Sequence, residues 1–132
     1  MNPRTWIIAG AIFGALGVGA GAFGAHALKE RFKLPEAIER DLGNTYEIAV
    51  RYQMYHALAL VLVGLVGLHS ASVWVNAAGG CFAGGILIFC GLLYIYSLGG
   101  PKILGAIVPI GGTAMIIGWV LLAIAALGVV KR

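Results

Sequence analysis

The chain has 132 residues, 61% hydrophobic and 11% charged, with a formal net charge of +4 and a mean hydropathy of +0.96. Soluble domains carry about 25% charged and about 45–50% apolar residues, and a chain this short has too much surface to hide the surplus in a water-soluble core, so lipid is the missing solvent. Its nine basic and five acidic residues lie almost entirely between the apolar segments, a distribution that suits lipid headgroups and excludes a nucleic-acid-binding surface as the main use of the charge.

The first apolar run, Trp6 to Leu28, matches a hydrocarbon core of about 30 Å at 1.5 Å per residue. Small residues near Ala25 and Ala27 resemble a signal-peptide cleavage site, but signal cores run to about 7–15 residues and this run is longer, so a retained helix is expected over 6–28. The polar stretch Lys29 to Gln53 follows. Pro35 fits a first helical turn, and Glu36 and Glu39 suit the positive end of a helix dipole. Ala37, Ile38, Leu42, Tyr46, Ala49 and Tyr52 recur mostly at threes and fours. That spacing predicts an amphipathic helix over 35–51 at the membrane surface, bent at Gly43–Asn44. Further spans are expected over 52–69, with a helix continuous with the one before it as the alternative, and over 73–98. Pro109 is placed to open the last, over 109–130, with a helix beginning at Lys102 and kinked at Pro109 as the alternative. The expected fold is all-α: one membrane domain over 1–132, a four-helix transmembrane bundle with an interfacial helix between spans 1 and 2.

Twenty-one glycines demand a reason. Between helices in lipid, burying leucine gains nothing, whereas small residues let backbones approach and gain dispersion contact. Gly10, Gly14, Gly17, Gly21 and Gly24 form one stripe on the first helix. Gly80, Gly84 and Gly91 play the same part in the third span, and Gly111 and Gly118, with Ala125, in the fourth. The plain reading is packing inside one bundle; the sharper one is that a stripe is left over for a second copy or a partner membrane protein. Cys81 and Cys90 fall on opposite faces of one helix and read as small apolar fillers.

If the chain crosses the membrane four times, His26, Gln53, His56, Tyr94, Ser97 and Thr113 should gather at one end of the bundle. Gln53 and His56, three apart, share a face. These groups fit mutual hydrogen bonding first, and a site for a small molecule, proton or lipid second, since polar residues inside membranes are costly and often functional. A metal or haem between His26 and His56 is the weakest reading, because no HExxH, cysteine pair or carboxylate accompanies them. His26 and His56 are nonetheless expected as near neighbours, at depths within a turn or two. Enzyme signatures are missing: there is no GxSxG, Walker loop or pair of carboxylates within a span. Gly19-Ala20-Gly21-Ala22-Phe23-Gly24 spells GxGxxG, but it lies late in a helical run rather than between a strand and a helix, so it reads as packing. No catalytic residue, metal or cofactor is expected.

Three strings carry a resemblance: Gly-Ala-Phe-Gly-Ala-His-Ala-Leu (Gly21 to Leu28), Tyr-Gln-Met-Tyr-His-Ala-Leu (Tyr52 to Leu58) and Pro-Ile-Gly-Gly (Pro109 to Gly112). Together they resemble the family catalogued as domain of unknown function 423, which includes bacterial YgdD-like inner-membrane proteins and the animal transmembrane protein 256. Cys90-Gly91-Leu92-Leu93-Tyr94 sits where that family has a similar small-residue and tyrosine pattern. The resemblance covers essentially the whole chain and implies a four-span inner-membrane protein, with no activity attached.

The sequence thus points to a non-enzymatic membrane subunit or interaction module, with a carrier built on the polar cluster as the alternative. Lys29, Arg31, Lys33, Arg40, Arg51 and Lys102 share one face of the expected topology, and Arg4, Lys131 and Arg132 the other. The positive-inside bias then puts both termini outside the cytoplasm of a bacterial inner membrane. A reporter fused to the C-terminus should read as external. A cysteine replacing Lys33 should resist an impermeant thiol reagent in intact cells, and labelling there before lysis would invert the topology.

Overall fold

A computed structural model describes residues 1–31, 36–70 and 72–129, without the side chains of 25–31, 37, 39 and 129. Lys33, Pro35, Lys131 and Arg132 therefore lie outside the described residues. Helix α1 is Pro3–Arg31 and α2 is Glu36–His69. A third long helix comprises α3 (Val73–Gly85), a π-helical segment (Ile86–Cys90) and α4 (Gly91–Ser97), and α5 is Leu104–Val129. Four stretches are long and apolar enough to cross a membrane: Pro3–Gly24, Arg40–His69, Val73–Ser97 and Leu104–Gly128.

The helix expected at the surface over 35–51 is not a separate element. From Glu36 the chain runs as one helix to His69, unbroken at Gly43–Asn44. Tyr46 and Ala49 continue in phase with Gln53, Ala57, Leu60 and Val63, and all six are buried. A stripe that looked amphipathic alone is the first part of the buried face of α2.

Helix α1 lies antiparallel on α2, and its glycine stripe is the contact. A Cβ on Gly10 would stand 2.6 Å from the carbonyl oxygen of Ala57 and 2.8 Å from Val61. One on Gly17 would stand 2.6 Å from Met54 Sδ, and one on Gly24 would strike the Tyr46 ring. Gly14 and Gly21 touch Ala57 and Val50 more loosely. At the other end, Gly64 and Gly67 of α2 receive Pro3 and Ile7.

In the third helix the expected stripe is wrong by a rotation. Gly80, Gly84 and Gly91 have nothing within 4 Å of a would-be Cβ. The close contacts belong to Gly79, against the Trp6 ring, and Gly85, against Met115 and the carbonyl oxygen of Gly111. Periodicity finds a stripe but not which side of the helix meets a neighbour. On α5 a Cβ on Gly111 would stand 2.5 Å from the Phe89 backbone nitrogen, and one on Gly118 2.7 Å from the Phe82 ring. Gly111 thus meets the third helix at its π segment, where the N–H of Gly91 donates to the carbonyl of Ile86 five residues back. Glycines at 84, 85 and 91 flank that segment.

The turn after α4 is a Schellman motif. Gly100 N–H donates to Ile95 O (2.9 Å) and Gly99 N–H to Tyr96 O (3.1 Å), with Gly99 at φ +96°, a conformation that favours glycine. The link to α5 is therefore shorter than expected, and α5 starts at Leu104 with Pro109 inside it. Pro109, the sixth residue of α5, forfeits the bond to the carbonyl of Gly105. At the other turn, Ser72 caps α3, its Oγ accepting from Trp74 N at 3.2 Å. Alternating helices leave the start of α1 and the end of α5 on the same side.

Gly111→Leu should cost about 1–3 kcal/mol, because backbone cannot yield to the new side chain. Gly17→Leu should cost less, since the flexible Met54 side chain can move. Gly19→Leu, with open space around it, should be neutral. Thermal unfolding of the three variants in detergent and in lipid checks the order.

Candidate functional site

Gln53 lies about halfway along α2 and is buried. Its Nε2 donates to the carbonyl oxygen of Phe13 on α1 (2.8 Å), and its Oε1 accepts from the hydroxyl of Tyr94 on α4 (2.9 Å). One amide thus joins three spans. The close backbone approach at Gly10 and Gly17 is what brings α1 within reach, and accepting a second bond at Phe13 O is open to any helical carbonyl with a free lone pair. Tyr46 packs its ring 5.0 Å from that of Tyr94 and donates to the carbonyl oxygen of Ala20 (2.8 Å).

One turn further along α2, His56 is buried between α2, α3 and α5. Trp119 Nε1 donates to His56 Nε2 at 3.3 Å, so Nδ1 carries the proton and donates to the carbonyl oxygen of Tyr52 at 2.7 Å. The imidazole is neutral, and both its nitrogens are engaged. Phe82 packs edge-on against Trp119, with centroids 5.1 Å apart, and lies 5.6 Å from the His56 ring. Tyr52 stacks on Phe89 at 4.8 Å.

Of the six residues expected to gather, the structure joins Gln53 to Tyr94, while His56, a turn along α2, bonds Trp119 instead. Ser97 is buried beside them, but its hydroxyl turns back to the carbonyls of Leu93 (2.8 Å) and Tyr94 (3.0 Å). Thr113 is exposed and bonds Pro109 O (2.9 Å) on its own helix. The side chain of His26 lies outside the described residues. The helix register nonetheless corrects its expected depth. Gly14 meets Ala57, beside His56, whereas Gly24 meets Tyr46. His26 is twelve residues beyond Gly14, about 18 Å along the axis, so it and His56 are not at one level. The expectation failed because α1 and α2 both run on past the other two spans. For the same reason the cluster is not confined to one end: Tyr94 and Ser97 lie near the end of the third span, while His56 and Trp119 lie near mid-span.

Sequence reasoning missed Trp119, Tyr46 and the pair Trp6–Asn76, whose Nε1···Oδ1 bond (3.1 Å) ties α1 to α3. A signal existed for two of them. A tryptophan far from a span's ends and an asparagine inside an apolar run both need a partner. Among the described residues, no buried side-chain nitrogen or oxygen lacks a hydrogen-bond partner, and no three His, Cys, Asp or Glu are grouped to hold a metal. The arrangement is an inward-directed polar core that ties helices, and it offers no aligned nucleophile, base or open metal position.

The family described as "Protein of unknown function (DUF423)" matches residues 20–112. A "UPF0382 membrane protein" of Staphylococcus aureus (strain bovine RF122 / ET3-1) is 43% identical over 92% of this chain and 94% of its own length. A Staphylococcus epidermidis protein of the same designation is 43% identical over 94% and 96%. The UPF0382 membrane protein YwdK of Bacillus subtilis is 41% identical over 93% and 96%. No solved structure matches.

Gln53→Leu should lower stability by about 1–2 kcal/mol, leaving the Tyr94 hydroxyl without its acceptor. Gln53→Leu with Tyr94→Phe should cost less than the sum of the two single changes. Unfolding of the four proteins in lipid gives the coupling, and strict additivity would break the link.

Proposed function

We propose, from the premise that the chain belongs to the DUF423 family of membrane proteins, that it is a non-enzymatic membrane subunit or interaction module whose working surface is the outward side of the third span. The observation that carries this is Gly80 and Gly84, four residues apart on α3, with open space where a Cβ would stand on either. Small residues one turn apart let a second helix come to backbone contact, where dispersion and weak Cα–H···O contacts accumulate. Gly10, Gly79, Gly85, Gly111 and Gly118 meet neighbours within the bundle, and the other open helical glycines, Gly19, Gly43, Gly91, Gly105 and Gly128, each lack a second open glycine one turn away. At Gly80 and Gly84 the partner is a second copy or another membrane protein.

The internal closure of the polar core supports a module over a carrier. Gln53, His56, Tyr94 and Ser97 spend their hydrogen bonds on one another, on Trp119 and on backbone carbonyls, and a carrier needs polar groups turned toward a cavity. The arginine and lysine distribution supports a place in the bacterial inner membrane with both termini outside the cytoplasm.

Crosslinking in native membranes, followed by mass analysis, tests the proposal. The wild-type protein should give a defined crosslinked species. The double variant Gly80→Leu, Gly84→Leu should lose it while keeping its thermal unfolding temperature in detergent, because neither new side chain meets this bundle. A strictly monomeric, partner-free protein in the membrane would overturn the reading.

A further inference from the structure

Helix α1 packs along α2 and reaches the third helix only near one end, where Trp6 sits on Gly79 and bonds Asn76. Beyond that tie the two helices part and leave a cleft of about 260 Å³, lined by Phe13, Leu16 and Ala20 of α1, Gln53 of α2, and Ile86, Leu87, Gly91 and Tyr94 of the third helix. Phe13 and Ile86 each stand near the middle of an apolar stretch long enough to cross a membrane, and Gln53, bonded to the Phe13 carbonyl, opens the uncharged part of α2 just beyond the exposed Glu47–Arg51 pair. Gly91 deepens it, having no neighbour within 4 Å of a would-be Cβ.

We infer that this cleft is a binding site for a single hydrocarbon chain of a membrane lipid. The chemistry of the floor selects an apolar occupant. Gln53 is the one amide in the lining, and its oxygen and nitrogen are bonded to the Tyr94 hydroxyl and the Phe13 carbonyl. The walls are otherwise aliphatic and aromatic. Water or a polar ligand would find too few partners there. An empty cleft would forfeit dispersion contacts along its whole lining, and the surrounding bilayer supplies chains from the side. The volume decides between a chain and a helix. About 260 Å³ is less than one turn of a helix about 10 Å across with a pitch of about 5.4 Å fills, whereas it takes part of a methylene chain. Leu16 and Leu87, which line the cleft, are 59% and 64% exposed and so are open to the bilayer. The cleft begins two residues beyond Gly84, at Ile86, so it continues the side of the third helix that carries Gly80 and Gly84 toward the end of α3.

The experiment uses the full chain in vesicles of phosphatidylethanolamine and phosphatidylglycerol, containing a trace of phosphatidylcholine with a diazirine midway along one acyl chain. After irradiation, labelled residues are mapped by mass spectrometry. Labelling should concentrate on residues 13–20 and 86–94, above the level on Ile116 and Val120, which face outward on α5. Gly91→Leu should reduce cleft labelling to that background, leaving the labelling of α5 and the thermal unfolding unchanged. Leu16→Trp, which narrows the mouth from an exposed position, should do the same without touching the third helix. Cleft labelling no higher than on α5, or unaffected by both variants, would overturn the inference. Protein–protein crosslinks through Leu16 and Leu87 in place of lipid adducts would also overturn it, in favour of a partner helix.

Discussion

The structure depends on how closely two helix backbones approach where no hydrophobic force drives them together. A bilayer solvates leucine as well as a protein core does, so the surfaces that hold this bundle are those that gain contact, not those that shed water. Gly10 and Gly17 bring α1 onto α2, and Gly111 brings α5 onto the backbone of the third helix at Phe89. Each contact sets both a separation and a register, because a glycine admits only the neighbour that fits the gap.

The polar core follows from that register. With Gly10 on Ala57 and Gly17 on Met54, the carbonyl of Phe13 falls opposite Gln53. The amide then spans the short gap that the glycines created, and its other end takes the Tyr94 hydroxyl. A little deeper, Trp119 delivers its N–H to His56, which leaves the imidazole neutral in a place where a charge would be costly. Hydrogen bonds of this kind are modest in strength within membranes. Their larger effect is on specificity: rotating any of the four spans would leave polar atoms facing hydrocarbon, so the core selects one packing among several of similar contact area.

The same tight pairings leave some surfaces unused. Helix α1 is committed to α2 and diverges from the third helix, which opens the cleft beside Gly91. The third helix is committed to α2 and α5 and turns Gly80 and Gly84 outward. The first is the surface proposed for a lipid chain and the second the one proposed for another helix. Both exist because a four-span chain with these contacts does not close into a ring of equivalent neighbours.

The amino-acid sequence by itself determined the solvent, the four apolar spans and the glycine stripe of α1, because hydropathy and small-residue spacing are local properties. It also marked Gln53, His56 and Tyr94, since polar side chains inside apolar runs must find partners. It left open whether the 35–51 helix runs on into the second span and whether the last helix starts before Pro109: the stripe through Tyr46 and Ala49 gains its meaning only when continued into Gln53 and Ala57, and a proline early in a helix reads as a boundary. Only the tertiary structure decided the rotations and the relative depths. Gly79 and Gly85 make the contacts expected of Gly80, Gly84 and Gly91, because one residue of offset turns a helix by about 100°. His56 meets Trp119, and its level along the bundle differs from that of His26, because the sliding of one helix along another is set by side-chain fit across the interface and not by any spacing within a single helix.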